Sequence, residues 1–254
     1  MLDLAFRGRV AVMTLSRPPV NAIDDAMIAS MHGRLDELAK RQDVSVLHLR
    51  SSQRLFAAGA DIELLHRIST SADRAAVMED YLERLQGLFS RIESLPQVTL
   101  AEINGAALGG GFEMCLACDL RMAAQEAKIG LPEIGIGLFP GAGGTQRLSR
   151  LCGMGLAAKL IYTGEPETGT AARDLGMVQW AVPQAELEAR AAELADRLAS
   201  FNPLALRAAK ACIGASGAPL ENGYRLEREH TRRLIASEET QALLAAFLAK
   251  RKSR

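Results

Sequence analysis

This sequence predicts an α/β fold whose strands pair mainly in parallel. Short runs with period-two apolar patterning alternate with longer runs of helical spacing up to about Pro183, and only helical patterning follows. Glycine and proline clusters punctuate the junctions. A chain that alternates strand and helix normally lays its strands parallel, because each helix carries the chain back across the sheet. With 254 residues, 48% apolar and 24% charged, one large domain can bury its own core. Aromatics are only 4%, so that core must be mostly aliphatic.

Taken in order, residues 9–15 (RVAVMTL) alternate as a strand, and the two prolines of SRPPVNAID stop it. Asn21 and Asp24 suit a turn or a helix cap. Residues 25–41 place Met27, Met31, Leu35 and Leu38 on one helical face. VSVLHLRS (44–51) reads as a second strand and FAAGAD (56–61) as a loop. Residues 73–95 form a long amphipathic helix with Ala76, Met78, Leu82, Leu85, Leu88, Phe89 and Ile92 at core positions, ended by Pro96. Residues 98–124 read as strand, glycine turn, helix, strand. Residues 132–148 are glycine-rich and open a helix, and 155–165 and 168–182 give two short helices leading into a strand.

Composition excludes several functions. Basic and acidic residues number 30 each, so bulk electrostatics offer nothing to a nucleic acid. Neither a signal-peptide pattern nor an apolar run of membrane length is present, so a soluble cytoplasmic protein is expected. Four cysteines imply no disulfide framework. Cys115 and Cys118 form a C-x-x-C on a predicted helix with no second pair, which reads as core thiols rather than zinc ligands. GAGGTQR (141–147) lacks the Lys-Ser/Thr of a phosphate loop, and GIGLFPG (135–141) lacks a dinucleotide-binding glycine pattern. His32, His48, His66 and His230 lie outside every motif.

Two features invite chemistry. Gly109, Gly110 and Gly111 precede a helical pattern. Such a triplet serves either a tight packed turn or a backbone that must approach a ligand closely. At a helix start the first N–H groups lack partners and carry partial positive charge, which suits an oxygen gaining negative charge. FAAGAD makes the same offer at Ala60. Glu113 follows the triplet, where it is either a helix-capping acid or a functional one. Glu133 sits among Leu131, Pro132, Ile134 and Ile136, so it must be paired, functional or turned to water. Two carboxylates suit chemistry on water, since one can accept a proton while the other donates.

Five segments in order, RPPVNAI (17–23), FAAGADI (56–62), INGAALGGGFEMCLACDLRMA (103–123), LPEIGIGLFPGAGGTQRL (131–148) and FLAKRKS (247–253), resemble the enoyl-CoA hydratase/isomerase (crotonase) family. The resemblance implies a spiral of repeated ββα units over residues 1–196 and a C-terminal helical oligomerisation region over 197–254. It implies an oxyanion hole at the amides of Ala60 and Gly110. It implies catalysis by Glu113, activating water, and Glu133, donating a proton to C2; their separation of twenty residues matches the family's hydratases. Ala22, Ala58, Asp61 and Ile62 would face the coenzyme A portion, Gly141 would line the acyl pocket, and Lys250 would approach coenzyme A. The chain stops after Arg254, without the family's usual small-x-aromatic ending beyond KRK.

The expected substrate is therefore a 2-enoyl-CoA, with no cofactor beyond the coenzyme A it carries and no metal. The expected assembly is a homotrimer or two stacked trimers, with no nucleic-acid or membrane partner. Three rivals stand beside hydration: double-bond isomerisation with one glutamate, RNA binding through a basic helix, and an inactive scaffold. In GRLDELAKRQD (33–43) Arg34, Lys40 and Arg41 are balanced by Asp36, Glu37 and Asp43, which argues against RNA.

Overall fold

The computed structural model of the chain describes residues 1–252. Its first element is a hairpin of β1 (Leu2–Arg7) and β2 (Val10–Leu15), turned at Gly8 with φ +57. β1 is absent from the sequence reading, although Leu2, Leu4 and Phe6 alternate against Asp3, Ala5 and Arg7. Then follow α1 (Asp25–Ala39), β3 (Val46–Ser51), α2 (Ile62–Thr70), α3 (Arg74–Ser94), β4 (Val98–Ile103), β5 (Ala107–Leu108), α4 (Gly110–Leu116), β6 (Leu120–Ala124) and β7 (Lys128–Gly130). After a 3₁₀ turn at Glu133–Ile136 come α5 (Gly144–Cys152), α6 (Met154–Thr163), β8 (Glu167–Thr168), α7 (Gly169–Asp174) and β9 (Trp180–Val182). The chain then runs through α8 (Gln184–Ala199), α9 (Pro203–Gly214), α10 (Leu220–Ile235) and α11 (Glu238–Lys252).

The main sheet has six strands in the order β1-β2-β3-β4-β6-β9. The β1–β2 pair is antiparallel, and every other neighbour in this sheet is parallel, as expected for helices returning the chain. All six residues of β4 are buried, as in a strand covered on both faces. A smaller sheet, β5-β7-β8, is extended by single bridges at Ala57–Ala107 and Ile23–Ala60. The passages that begin with β2, β3, β4 and β6 thus each contribute a strand to one layer and a very short piece to the second before entering a helix. That repeat is a spiral, and the second layer carries the loops at 57–60 and 107–110.

Local chemistry explains the helix starts. Asp24 Oδ1 caps α1 on the amide of Met27 (2.9 Å), and Asp61 Oδ1 caps α2 on Glu63 and Leu64 (3.0 and 3.1 Å). Asn202 caps α9, with Pro203 in its first turn. On α3, Leu85, Leu88, Phe89 and Ile92 are buried as expected, but Ala76 is exposed and Met78 and Leu82 only half-buried. The buried residue that the periodicity missed is Tyr81, whose hydroxyl donates to the Ile23 carbonyl (2.9 Å). α8 packs on β3, β4 and β6, whereas α10 rests on α9 and α11 on α10. Among the described residues, no helix is long and apolar enough to cross a membrane.

Candidate active site

A cavity of 260 Å³ lies between α3 and the segment 132–142. One wall is apolar, with Leu65 from α2 and Met78, Tyr81, Leu82 and Leu85 from α3. Ile136, Leu138 and Phe139 face them. The polar groups come from three turns: Gly59–Ala60, Gly109–Gly110 with Glu113, and Glu133. A mostly apolar cleft with a few converging polar groups is the usual form of a small-molecule site.

Two main-chain amides meet at this cavity. A methyl built on Gly110 would stand 3.5 Å from the Ala60 nitrogen, and one on Gly59 would stand 3.1 Å from the Gly110 nitrogen. Their neighbours fix this approach. Ile23 N–H donates to Gly59 O (2.8 Å), Asp61 N–H to Ile23 O (3.1 Å) and Leu108 N–H to Ala57 O (3.0 Å). Glycine is required here: Gly59 has φ +96, and a side chain at Gly111 would collide with the Ala57 carbonyl. Among the described residues, neither the Ala60 nor the Gly110 N–H donates a hydrogen bond within the protein. Gly110 opens α4, so its amide also lies at the positive end of that short helix.

Glu113 stands on the same helix and is 3% exposed. Its Oε1 accepts from the amides of Ala142 (2.8 Å) and Gly144 (2.7 Å), the latter being the first residue of α5. Burial pushes its carboxyl up to about 7, against the pull of those two amides, and Glu133 adds a smaller push in the same direction.

Glu133 has a different setting. Its carboxyl lies over Gly109, where an added methyl would meet Oε1 at 2.8 Å. Its Oε2 is buried without a hydrogen-bond partner among the described residues. Burial raises this carboxyl above its ordinary value. An unpaired buried carboxyl oxygen is costly and unusual, and such groups concentrate at functional sites.

The structure brings Glu113, Glu133, Ala60, Gly110, Ala58, Ile62 and Gly141 to one cavity. It does not bring Ala22, Asp61 or Lys250 to the lining. Ala22 lies one residue before the Ile23–Ala60 bridge, and its carbonyl accepts from Arg17 (2.6 Å). Asp61 caps α2 and pairs with the same arginine (3.2 Å). Lys250 is exposed on α11; Ser253, the last residue of its motif, lies outside the described residues. His48 is buried against Glu102 (2.8 Å) in the main sheet and takes no part in the cavity. Sequence reasoning missed the amides of Ala142 and Gly144, which hold Glu113. The Gly-Ala-Gly-Gly run that opens α5 was the available signal, since small residues leave helix-start amides open to an acid.

Comparison with known proteins identifies the family. The family model for enoyl-CoA hydratase/isomerase matches residues 5–254. A "probable enoyl-CoA hydratase" of Bacillus subtilis (strain 168) is 37% identical over 253 residues, covering 99% of this chain and 96% of the relative. The 2,3-dehydroadipyl-CoA hydratase of Escherichia coli (strain K12) is 37% identical over 252 residues, covering 98% and 96%. The crystal structure of an enoyl-CoA hydratase from Bacillus anthracis superposes with a TM-score of 0.92 at 33% identity, covering 98% of this chain and 96% of that one. The spiral is therefore crotonase-like, and the chain belongs to the enoyl-CoA hydratase/isomerase family.

Proposed function

We propose that the chain is an enoyl-CoA hydratase that adds water syn across the double bond of a trans-2-enoyl-CoA, giving a 3-hydroxyacyl-CoA. The observation that carries this reading is the placement of two acids, both with raised carboxyl affinities for protons, beside two partnerless amides in one cavity. The amides of Ala60 and Gly110 receive the thioester oxygen as it gains negative charge. One such donor is worth roughly 10²–10³ in rate. Glu113, ionised, takes a proton from water as its oxygen bonds to C3. Glu133, protonated, gives its proton to C2. A proton then passes from Glu113 to Glu133, so the net change is one water added. Two acids whose proton affinities are both raised by burial, that of Glu113 to about 7, suit such an exchange of roles.

Ala58 and Ile62 line the cleft and are exposed, which suits the pantetheine side, and Ala22 and Asp61 adjoin this segment. Gly141 and the α3 side chains suit the acyl group. Arg34 on α1 pairs with Glu37 (3.2 Å) and Arg41 just beyond it with Asp43 (2.7 Å), which leaves little of the 33–43 segment for RNA. The exposed Leu220, Tyr224, Ile235, Phe247 and Leu248 of α10 and α11 support assembly as a trimer or stacked trimers, checked by light scattering. The four free cysteines fit a reducing cytoplasm. The deciding assay mixes purified protein with crotonyl-CoA and follows the enoyl thioester absorbance. Its disappearance with formation of 3-hydroxybutyryl-CoA supports hydration. An unchanged signal, with turnover of a 3-enoyl-CoA instead, assigns isomerisation.

A further inference from the structure

The turn that holds Glu113 is itself held from outside the cavity. Arg147 stands in the first turn of α5, where the helix dipole disfavours a cation, so its position needs another cause. Its guanidinium is 11% exposed and donates twice to Glu93 Oε2 on α3, from Nε (3.0 Å) and Nη2 (2.8 Å). Its Nη1 donates to the Ala142 carbonyl (3.0 Å), and it lies so close over Gly143 that any side chain there would collide with it. Ala142 O belongs to the peptide between the two that supply the Ala142 and Gly144 amides. Gln86 of α3 fastens the preceding unit, donating from Nε2 to Gly141 O (2.7 Å). Peptide planes are rigid and a trans unit points its C=O and N–H in opposite directions. Tying the Gly141 carbonyl to Gln86 therefore aims the Ala142 amide at Glu113, and tying the Ala142 carbonyl to Arg147 fixes the next unit, which links the Ala142 amide to the Gly144 amide that reaches the same oxygen.

We propose that Arg147 is a positioning residue for Glu113: anchored on Glu93, it fixes the 141–144 turn so that two amides stay aimed at one carboxylate oxygen, and it supplies the positive charge nearest that acid from α5. The electrostatics agree, since Arg147 lowers the proton affinity of Glu113 while Glu133 raises it. The titratable and charged groups facing Glu113 are Glu133 from the 3₁₀ turn, Tyr81 from α3 and Arg147 from α5, with Glu93 behind Arg147. β5 brings only Ala107 and Leu108, which carry no charge.

This inference rests on the hydratase reading for its kinetic readout alone. The test compares wild type, Arg147→Met and Arg147→Lys in two measurements. The first is the protonation midpoint of the Glu113 carboxyl, read by infrared difference spectroscopy with Glu113→Gln as the blank. Arg147→Met should raise that midpoint by about half a unit or more, and Arg147→Lys should return it most of the way. The second is kcat, KM and the pH–rate profile with crotonyl-CoA. Arg147→Met should lower kcat roughly tenfold with KM within about twofold, and move the acid limb upward with the carboxyl midpoint. A midpoint unchanged in Arg147→Met overturns the proposal, whatever happens to the rate. If Arg147→Met does not fold, Arg147→Gln, which removes the charge but keeps a donor, takes its place: a raised midpoint supports the proposal and an unchanged one overturns it. Absence of turnover in the wild type would instead defeat the hydratase reading, and the carboxyl titration would still decide the role of Arg147.

Discussion

The start of α4 and the 3₁₀ turn at Glu133–Ile136 each deliver one glutamate to the cavity, and they treat it in opposite ways. Glu113 is fully enclosed and gripped on one oxygen by two amides. Glu133 is half-buried, lies over the bare backbone of Gly109 and keeps one oxygen without a partner among the described residues. Both carboxyls are pushed up by burial, yet only Glu113 has amides pulling it back from two directions. On the proposed reading, the gripped acid suits a fixed task on water and the less constrained one suits delivering a proton to carbon.

The largest effects should come from removing either acid. Glu133→Gln should lower kcat at least ~100-fold with little change in affinity for the CoA thioester, and Glu113→Gln should do the same. Steady-state kinetics with crotonyl-CoA and calorimetry with a saturated acyl-CoA separate the two quantities. A near-wild-type rate in either variant would falsify the assignment for that acid. Glycine variants push each acid without removing it. Gly144→Ala places a methyl 2.9 Å from Glu113 Oε1, and Gly109→Ala places one 2.8 Å from Glu133 Oε1. Each should cost roughly tenfold in kcat. Gly109→Ala should also lower the melting temperature through its φ of +51.

The pH dependence sharpens the contrast further. On the proposed reading Glu113, with its carboxyl at about 7, must be ionised to activate water, so the rate should fall about tenfold per unit below pH 7. Stability runs the other way. The folded carboxyl binds its proton more tightly than the unfolded one, whose ordinary value is 4.5. The stabilisation is therefore complete below about 4.5 and is lost as pH rises through about 7. Glu113→Gln should match wild type in urea unfolding near pH 4.5 and exceed it by up to about 3 kcal/mol at pH 8. A difference that does not grow with pH would show that the acid is not strained by its burial.

Much of this was readable in the chain. The strands β2, β3, β4, β6 and β9 and most helices follow from alternation, helical spacing and glycine or proline stops. β1 has the same alternation but ends on Arg7, with Arg9 just beyond, and these hide it as a polar start. α2 merges with the loop that its cap Asp61 closes, so its nine residues escaped notice. The second layer is built from two- and three-residue strands, too short for any period to register. At the site, the acids and the glycines were visible as residue types. Their convergence was not, because the separation of Glu113 and Glu133 in the chain says nothing of the turn at 141–144 that seats one of them. Tyr81 was missed because its burial depends on a carbonyl at Ile23, remote in the chain.

On the proposed reading, α4 carries the Gly110 amide and the Glu113 side chain on one short rigid piece, three residues apart. The first function belongs to the main chain and needs only the glycines that let it form, whereas the second disappears with one codon. Lineages built on this scaffold can therefore retire or replace their acids and still seat an activated thioester. The grip on the carbonyl is the heritable part, and the reaction that follows is the part free to drift.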